Sequence, residues 1–250
     1  MTMNDTIMMD VSPLMIVAVI CAYIVKGMCG FANTIVFTSI LSFQNDNINI
    51  TPVDLLIGIP SNILLAVRER KAVKLKLWLP LAALVLIGSL PGIFLLKYGD
   101  VVFIKILLGI VITGIGIEML FREFHRQRSK SSPIGIFIIG LVSGFITGLF
   151  GIGALLAAYM GRTTDSPDAF RGNLCMVLLT DNLFRLIMYS VTGIITLKIV
   201  KNAMILFPFM LIGLGLGILL SKILDEKIVK VIIILMLIVS GLSLIAVNVP

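Results

Sequence analysis

Charge is scarce in this chain: 13% of its 250 residues are Asp, Glu, Lys or Arg, about half the share of an ordinary soluble domain. There is one histidine, His125, set in a basic loop, so no Ser or Cys has an imidazole partner in its own segment for nucleophilic catalysis. Paired carboxylates at depth are missing, and so is the glycine-rich lysine motif that cradles ATP phosphates. The sequence thus points away from an enzyme, and any transport it carries out is secondary or passive. The three cysteines, Cys21, Cys29 and Cys175, lie in apolar runs with no CxxC spacing, which argues against a disulfide framework or a metal site. No cofactor is called for. The first ten residues hold two acids and no base, unlike a cleaved signal peptide, so the N-terminus is expected to stay attached.

What the chain has in excess is apolar sequence. Hydrophobic residues make up 59%, and mean hydropathy is +1.14. A hydrocarbon core about 30 Å thick takes roughly 20 apolar residues per helical crossing, which leaves no space for a soluble domain. Apolar runs separated by turn residues give eight segments at 13–43, 52–67, 77–97, 101–121, 133–160, 169–193, 199–220 and 228–247. The expected fold is an all-α polytopic membrane protein.

The net charge of +7 is concentrated in two short loops, 68–76 and 122–132. Lys and Arg between membrane segments mark the cytoplasmic side and meet anionic lipid headgroups, so this basicity does not imply nucleic acid. Both loops are expected in the cytoplasm, with the chain in the plasma membrane.

Segments 1 and 5 are longer than the rest, and each is interrupted by glycines. The interruptions read Lys26-Gly27-Met28-Cys29-Gly30-Phe31-Ala32-Asn33-Thr34 and Thr147-Gly148-Leu149-Phe150-Gly151-Ile152-Gly153. Glycine costs a helix interior about 1 kcal/mol relative to alanine, so each cluster marks a break. The likeness continues downstream: Thr51-Pro52-Val53-Asp54 opens segment 2 as Ser166-Pro167-Asp168-Ala169 opens segment 6, and Gly88, Gly92, Asp100 and Lys105 recur as Gly213, Gly217, Asp225 and Lys230. Two homologous halves are expected, 1–121 and 133–250, joined by the basic linker 122–132. If segments 1 and 5 cross the membrane the repeats are parallel, and if they are re-entrant the repeats are inverted; the cationic residues lean towards inversion.

Backbone broken within hydrocarbon persists only where protein or a watery cavity satisfies the freed groups, and matching interrupted helices point to a transporter's binding site. A half-helix starting after a break presents free N–H groups and part of a positive charge, which suits an anion. Candidate contacts are Lys26, Gly27, Gly30, Phe31, Asn33 and Thr34 at the first break and Gly148, Gly151 and Gly153 at the second, with Thr147 as a further donor. The alternative is that the glycines serve close helix packing. Lys26 either attracts the anion or snorkels to an interface. In segment 6, Asp181 and Arg185 lie four apart on one face beside Asn182. They form an intrahelical ion pair, or Arg185 holds substrate while Asp181 exchanges a proton or cation. Asn62 stands in segment 2 where Asn182 stands in segment 6, Arg171 is a headgroup anchor or the mouth of an anion path, and Glu118 is an interfacial partner.

These residues together resemble the TauE/SafE sulfite exporter family, grouped with the toluene sulfonate uptake permeases. The resemblance spans nearly the whole chain: Lys-Gly-x-x-Gly-Phe at Lys26 to Phe31, Gly88 and Gly92, the glycine run Gly144, Gly148, Gly151 and Gly153, Phe170-Arg171, and Asn-x-x-Arg from Asn182 to Arg185. Members commonly carry more glycine and a proline after each break, where this chain has Phe31-Ala32-Asn33 and Ala154-Leu155-Leu156. The resemblance implies a transporter of sulfite, sulfoacetate, sulfonates or related anions; the expected function is secondary transport, as an exporter, by alternating access. An anion-selective channel and a substrate-free membrane scaffold are the competing readings, and a homo-oligomer is allowed.

Overall fold

The computed structural model of the chain describes residues 11–124, 133–221, 223 and 226–248. The first ten residues, His125 and linker residues 125–132 lie outside the described set. The described chain forms α1 Pro13–Cys29, α2 Asn33–Leu41, α3 Asn47–Arg68, α4 Leu75–Tyr98, α5 Val101–Phe124, α6 Pro133–Phe150, α7 Ala154–Thr163, α8 Pro167–Val191, α9 Leu197–Leu220 and α10 Glu226–Asn248, with no strand among the described residues. By length and composition five helices can cross a membrane: α3, α4, α8, α9 and α5 over Val101–Phe121. Large apolar side chains such as Ile87, Phe94, Phe103, Ile110 and Leu219 face outward while Lys26, Asp54, Asp181 and Arg185 are buried. That inside-out distribution suits a lipid surround.

Segments 1 and 5 break where the glycines predict. Gly30 (φ 83°) and Gly151 (φ 78°) adopt left-handed backbone, and their N–H groups bond the carbonyls of Lys26 at 2.7 Å and Thr147 at 2.8 Å. This is a helix-closing turn that glycine adopts without a Cβ penalty. Ala32 repeats the left-handed geometry (φ 73°) as the cap residue before α2; for a non-glycine residue this costs about 1–2 kcal/mol.

Each Gly-x-x-Gly therefore divides its labour: the second glycine turns the chain and the first packs. A Cβ on Gly27 would stand 2.6 Å from the Leu214 carbonyl oxygen of α9, and one on Gly217 would stand 2.9 Å from the Gly27 Cα. On the other side, a Cβ on Gly92 would stand 2.8 Å from the Leu149 nitrogen, next to Gly148. Small residues at these crossings let helix backbones touch.

The second segment differs from expectation at its start. Pro52 signals a helix N-terminus, yet α3 begins five residues earlier, at Asn47, and carries Pro52 and Pro60 inside it. Proline is tolerated within buried membrane helices because neighbours re-satisfy the freed carbonyls. By contrast, Ser166 caps α8 through Ala169 N (3.2 Å), with Pro167 at its first position, as the sequence reads.

Cross-links identify the two ends of the bundle. At one end Lys105 pairs with Asp46 at 2.9 Å, and Lys97 donates to the Thr192 carbonyl just beyond α8. At the other, Asn173 of α8 accepts from Lys74 N (2.9 Å) and donates to the Ala72 carbonyl (3.3 Å), and Arg162 at the end of α7 pairs with Glu118 near the end of α5 (3.3 Å).

Helix α6 runs alongside α4 in the same sense, Gly88 meeting Leu141 and Gly92 meeting Phe145. It thus starts at the Lys74 end, to which α7 returns. Helix α1 runs likewise alongside α9, Gly213 meeting Ile20 and Gly217 meeting Ile24. It starts at the Thr192 end, to which α2 returns at Asp46. The two broken segments enter the bundle from opposite ends, and each turns back.

Candidate functional site

The turning points bring polar side chains into the buried interior. Lys26 from the last turn of α1, Asn33 and Thr34 from the first turn of α2, Asp54 and Asn62 from α3, and Asn182 and Arg185 from α8 line one cavity with Gly151 at the second break. Leu55, Gly58 and Leu178 complete its wall. Its volume is about 20 Å³, and a single water needs roughly 10–15 Å³ by this measure. The cavity therefore has space for about one water molecule.

Both cations are deeply buried, Lys26 at 1% exposure and Arg185 at 3%. Lys26 Nζ donates to Asn62 Oδ1 at 2.7 Å and lies 5.6 Å from the Tyr23 ring centroid. Among the described residues it forms no ion pair. Arg185 donates from Nε to Asp181 Oδ2 (3.0 Å) and from Nη2 to Asn182 Oδ1 (2.6 Å), and its guanidinium carbon lies 6.0 Å from the Tyr189 ring centroid. Its Nη1 has no hydrogen-bond partner. An unmet buried donor on a charged group costs more than about 1–3 kcal/mol, so this orphan marks a place for an acceptor.

The orphan lies where the two breaks meet. A Cβ on Gly151 would be 3.2 Å from Arg185 Nη1 and 3.1 Å from Thr34 Cγ2. Glycine at 151 thus serves the turn and leaves the guanidinium room. Across the cavity, Asp54 accepts from Asn33 Nδ2 at 3.1 Å and from the Thr34 hydroxyl.

Of the sequence candidates, Lys26, Asn33, Thr34, Asn62, Gly151, Asn182 and Arg185 reach the wall; the rest stand behind it. Gly27 and Gly148 sit in helix crossings, Gly153 against Leu178, and Gly30 against the stem of Arg171. Arg171 donates from Nη2 to the Met28 carbonyl at 3.1 Å, bonding one of the free carbonyls at the end of α1. Phe31 meets Phe170 edge-on, centroids 5.9 Å apart. Thr147 Oγ1 donates to the Gly144 carbonyl at 2.9 Å. Asp181 lies behind Arg185, with Oδ1 unpartnered.

Sequence reading missed Asp54. Taking Pro52 as the start of segment 2 put Asp54 at the interface, where an acid is unremarkable; the earlier start of α3 carries it one turn deeper, to 4% exposure. The signal that could have found it is Thr-Pro-x-Asp preceded by Asn47-Ile48-Asn49-Ile50, a polar-capped turn long enough to begin the helix upstream.

No curated protein and no solved structure matches this chain. Residues 15–244 match the family model described as "Sulfite exporter TauE/SafE", which covers both breaks, the cavity and every helix that lines it. The chain belongs to the TauE/SafE sulfite exporter family of membrane transporters.

Proposed function

We propose that the protein is a secondary exporter of small sulfur-containing or organic anions, such as sulfite, sulfoacetate or sulfonates, which bind in the cavity where the two breaks meet. The observation that carries this reading is the buried Arg185 Nη1 without a partner, facing the Gly151 turn beside Lys26, whose own partner is a neutral amide. Two cations placed out of water attract an anion far more strongly than they would at a surface. Asn33, Asn62 and Asn182 supply hydrogen bonds, and the N-termini of α2 and α7 add their dipoles. Asp181 holds Arg185 in place.

The opposed entry of the two broken segments supports inverted repeats, 1–121 and 133–250. In this arrangement one half rocks against the other around a fixed midplane site, giving alternating access. The end of the bundle holding loop 68–76, Arg162 and Arg171 is the cytoplasmic one in the plasma membrane, by its excess of Lys and Arg.

Flux tests the reading. Purified protein in liposomes should show saturable sulfite efflux and counterflow of labelled sulfite, both lost in Arg185→Met. Large unitary anion currents without counterflow would establish a channel instead.

A further inference from the structure

Asp54 occupies the position an anion would take. The first turn of α2 carries the partial positive charge of a helix N-terminus, and its two leading side chains, Asn33 and Thr34, both donate to the Asp54 carboxylate. That carboxylate lines the same cavity as Lys26 and Arg185, and among the described residues it forms no ion pair. Asp181 is different: it is tied to Arg185 by an i, i+4 ion pair at 3.0 Å and does not reach the cavity wall.

We propose that Asp54 is the proton-coupling residue of the transport cycle, a resident carboxylate that becomes protonated when the substrate anion binds. The proposal rests on the anion-site reading above and places on Asp54 the proton exchange that the sequence suggested for Asp181.

The charges lead to this assignment. The groups facing Asp54 are Tyr23 and Lys26 on α1, Asn33 and Thr34 on α2, and Arg185, with Asp181 behind it, on α8. Helix α9 has its two lysines, Lys198 and Lys201, in its first turn and a half; Lys105 of α5 and Lys97 of α4 are engaged at the bundle end; α6 has no ionisable residue. Lys26 and Arg185 against Asp54 and Asp181 sum to zero. A monoanion added to this set would leave one uncompensated charge away from water, which is strongly disfavoured. Taking one proton onto Asp54 restores neutrality: the carboxylate becomes a carboxylic acid, and the incoming anion replaces it as counter-charge to Lys26. The proton comes from the aqueous side open at that moment, and it leaves with the anion.

The local hydrogen bonds accommodate both forms. Thr34 Oγ1 contacts both the Asp54 carboxylate and Asn33 Nδ2, which is 3.3 Å away. A hydroxyl both donates and accepts, so it can give its hydrogen to the ionised Asp54 and, while Asn33 still donates to it, accept one from the protonated form. No side chain need move.

Calorimetric titration of the purified full-length protein with methanesulfonate, which stays ionised at every accessible pH, tests this. Repeating it in buffers of different ionisation enthalpy counts protons. Wild type should take up close to one proton per anion bound near neutral pH, with affinity falling as the pH rises. Asp54→Asn should bind over the same range with pH-independent affinity and no proton uptake. Wild-type binding without proton uptake overturns the proposal even if no variant folds, and so does proton uptake that survives in Asp54→Asn. Absence of binding by wild type at every pH overturns the anion-site reading itself, a separate failure.

Discussion

Lys26 Nζ and Asn62 Oδ1 are 2.7 Å apart, which joins the residue four positions before the first helix break to the C-terminal half of α3 through a lysine whose partner carries no charge. The amide orients the ammonium without neutralising it. Asn62→Asp converts this contact into a buried ion pair. The variant should melt at the same or a higher temperature, yet bind sulfite at least about tenfold more weakly, a loss of roughly 1.4 kcal/mol. Thermal unfolding and binding, measured on one preparation, separate the two effects. Unchanged affinity would mean that Lys26 does not face the anion.

Glycines in this chain are not equivalent, and the contrast can be measured. Gly217→Ala sets a Cβ 2.9 Å from the Gly27 Cα, so α1 and α9 must move apart, at a cost of about 1–3 kcal/mol. Gly215, two residues away on the same helix, has nothing within 4 Å of its added Cβ, so Gly215→Ala should be neutral or stabilising by up to about 1 kcal/mol. Melting in detergent should lower the first and spare the second; the reverse order would contradict the packing of α1 on α9.

Tyr189 donates its hydroxyl to the Gly148 carbonyl at 3.0 Å, one of the carbonyls left without a helical partner where α6 ends. Tyr189→Phe keeps the ring beside Arg185 and removes that donor. The orphaned carbonyl should cost about 1–3 kcal/mol of stability, read as a lower melting temperature.

Opposed entry of the two broken segments makes a prediction about sidedness. Single cysteines placed at Lys71 and Arg162 should react with an impermeant thiol reagent from the same face of the membrane, and one at Lys198 from the other. Reaction of the first two from opposite faces would rule out inverted repeats.

Much of this was legible in the sequence because its strongest signals are local. Glycine at 30 and 151 predicts a break, since left-handed backbone at a helix end selects for it. The ion pair of Asp181 with Arg185 follows from a spacing of four on a helix. The relation of α1 to α9 and of α4 to α6 was not legible, because a glycine that packs and a glycine that turns look alike until the partner helix is in place. Gly27, Gly148 and Gly153 therefore read as candidate contacts from sequence, whereas the structure packs them behind the cavity wall. Asp54 was overlooked for the opposite reason: Pro52 ordinarily starts a helix, and tertiary burial here overrode that local rule.

Binding of sulfite to the purified protein, followed as thermal stabilisation across a concentration series in wild type, Lys26→Met and Arg185→Met, probes the cavity itself. Saturable stabilisation of the wild type, weakened in both variants, is the expected result. Equal stabilisation in all three proteins would place the anion elsewhere, and the meeting of the two helix breaks would then have no part in holding it.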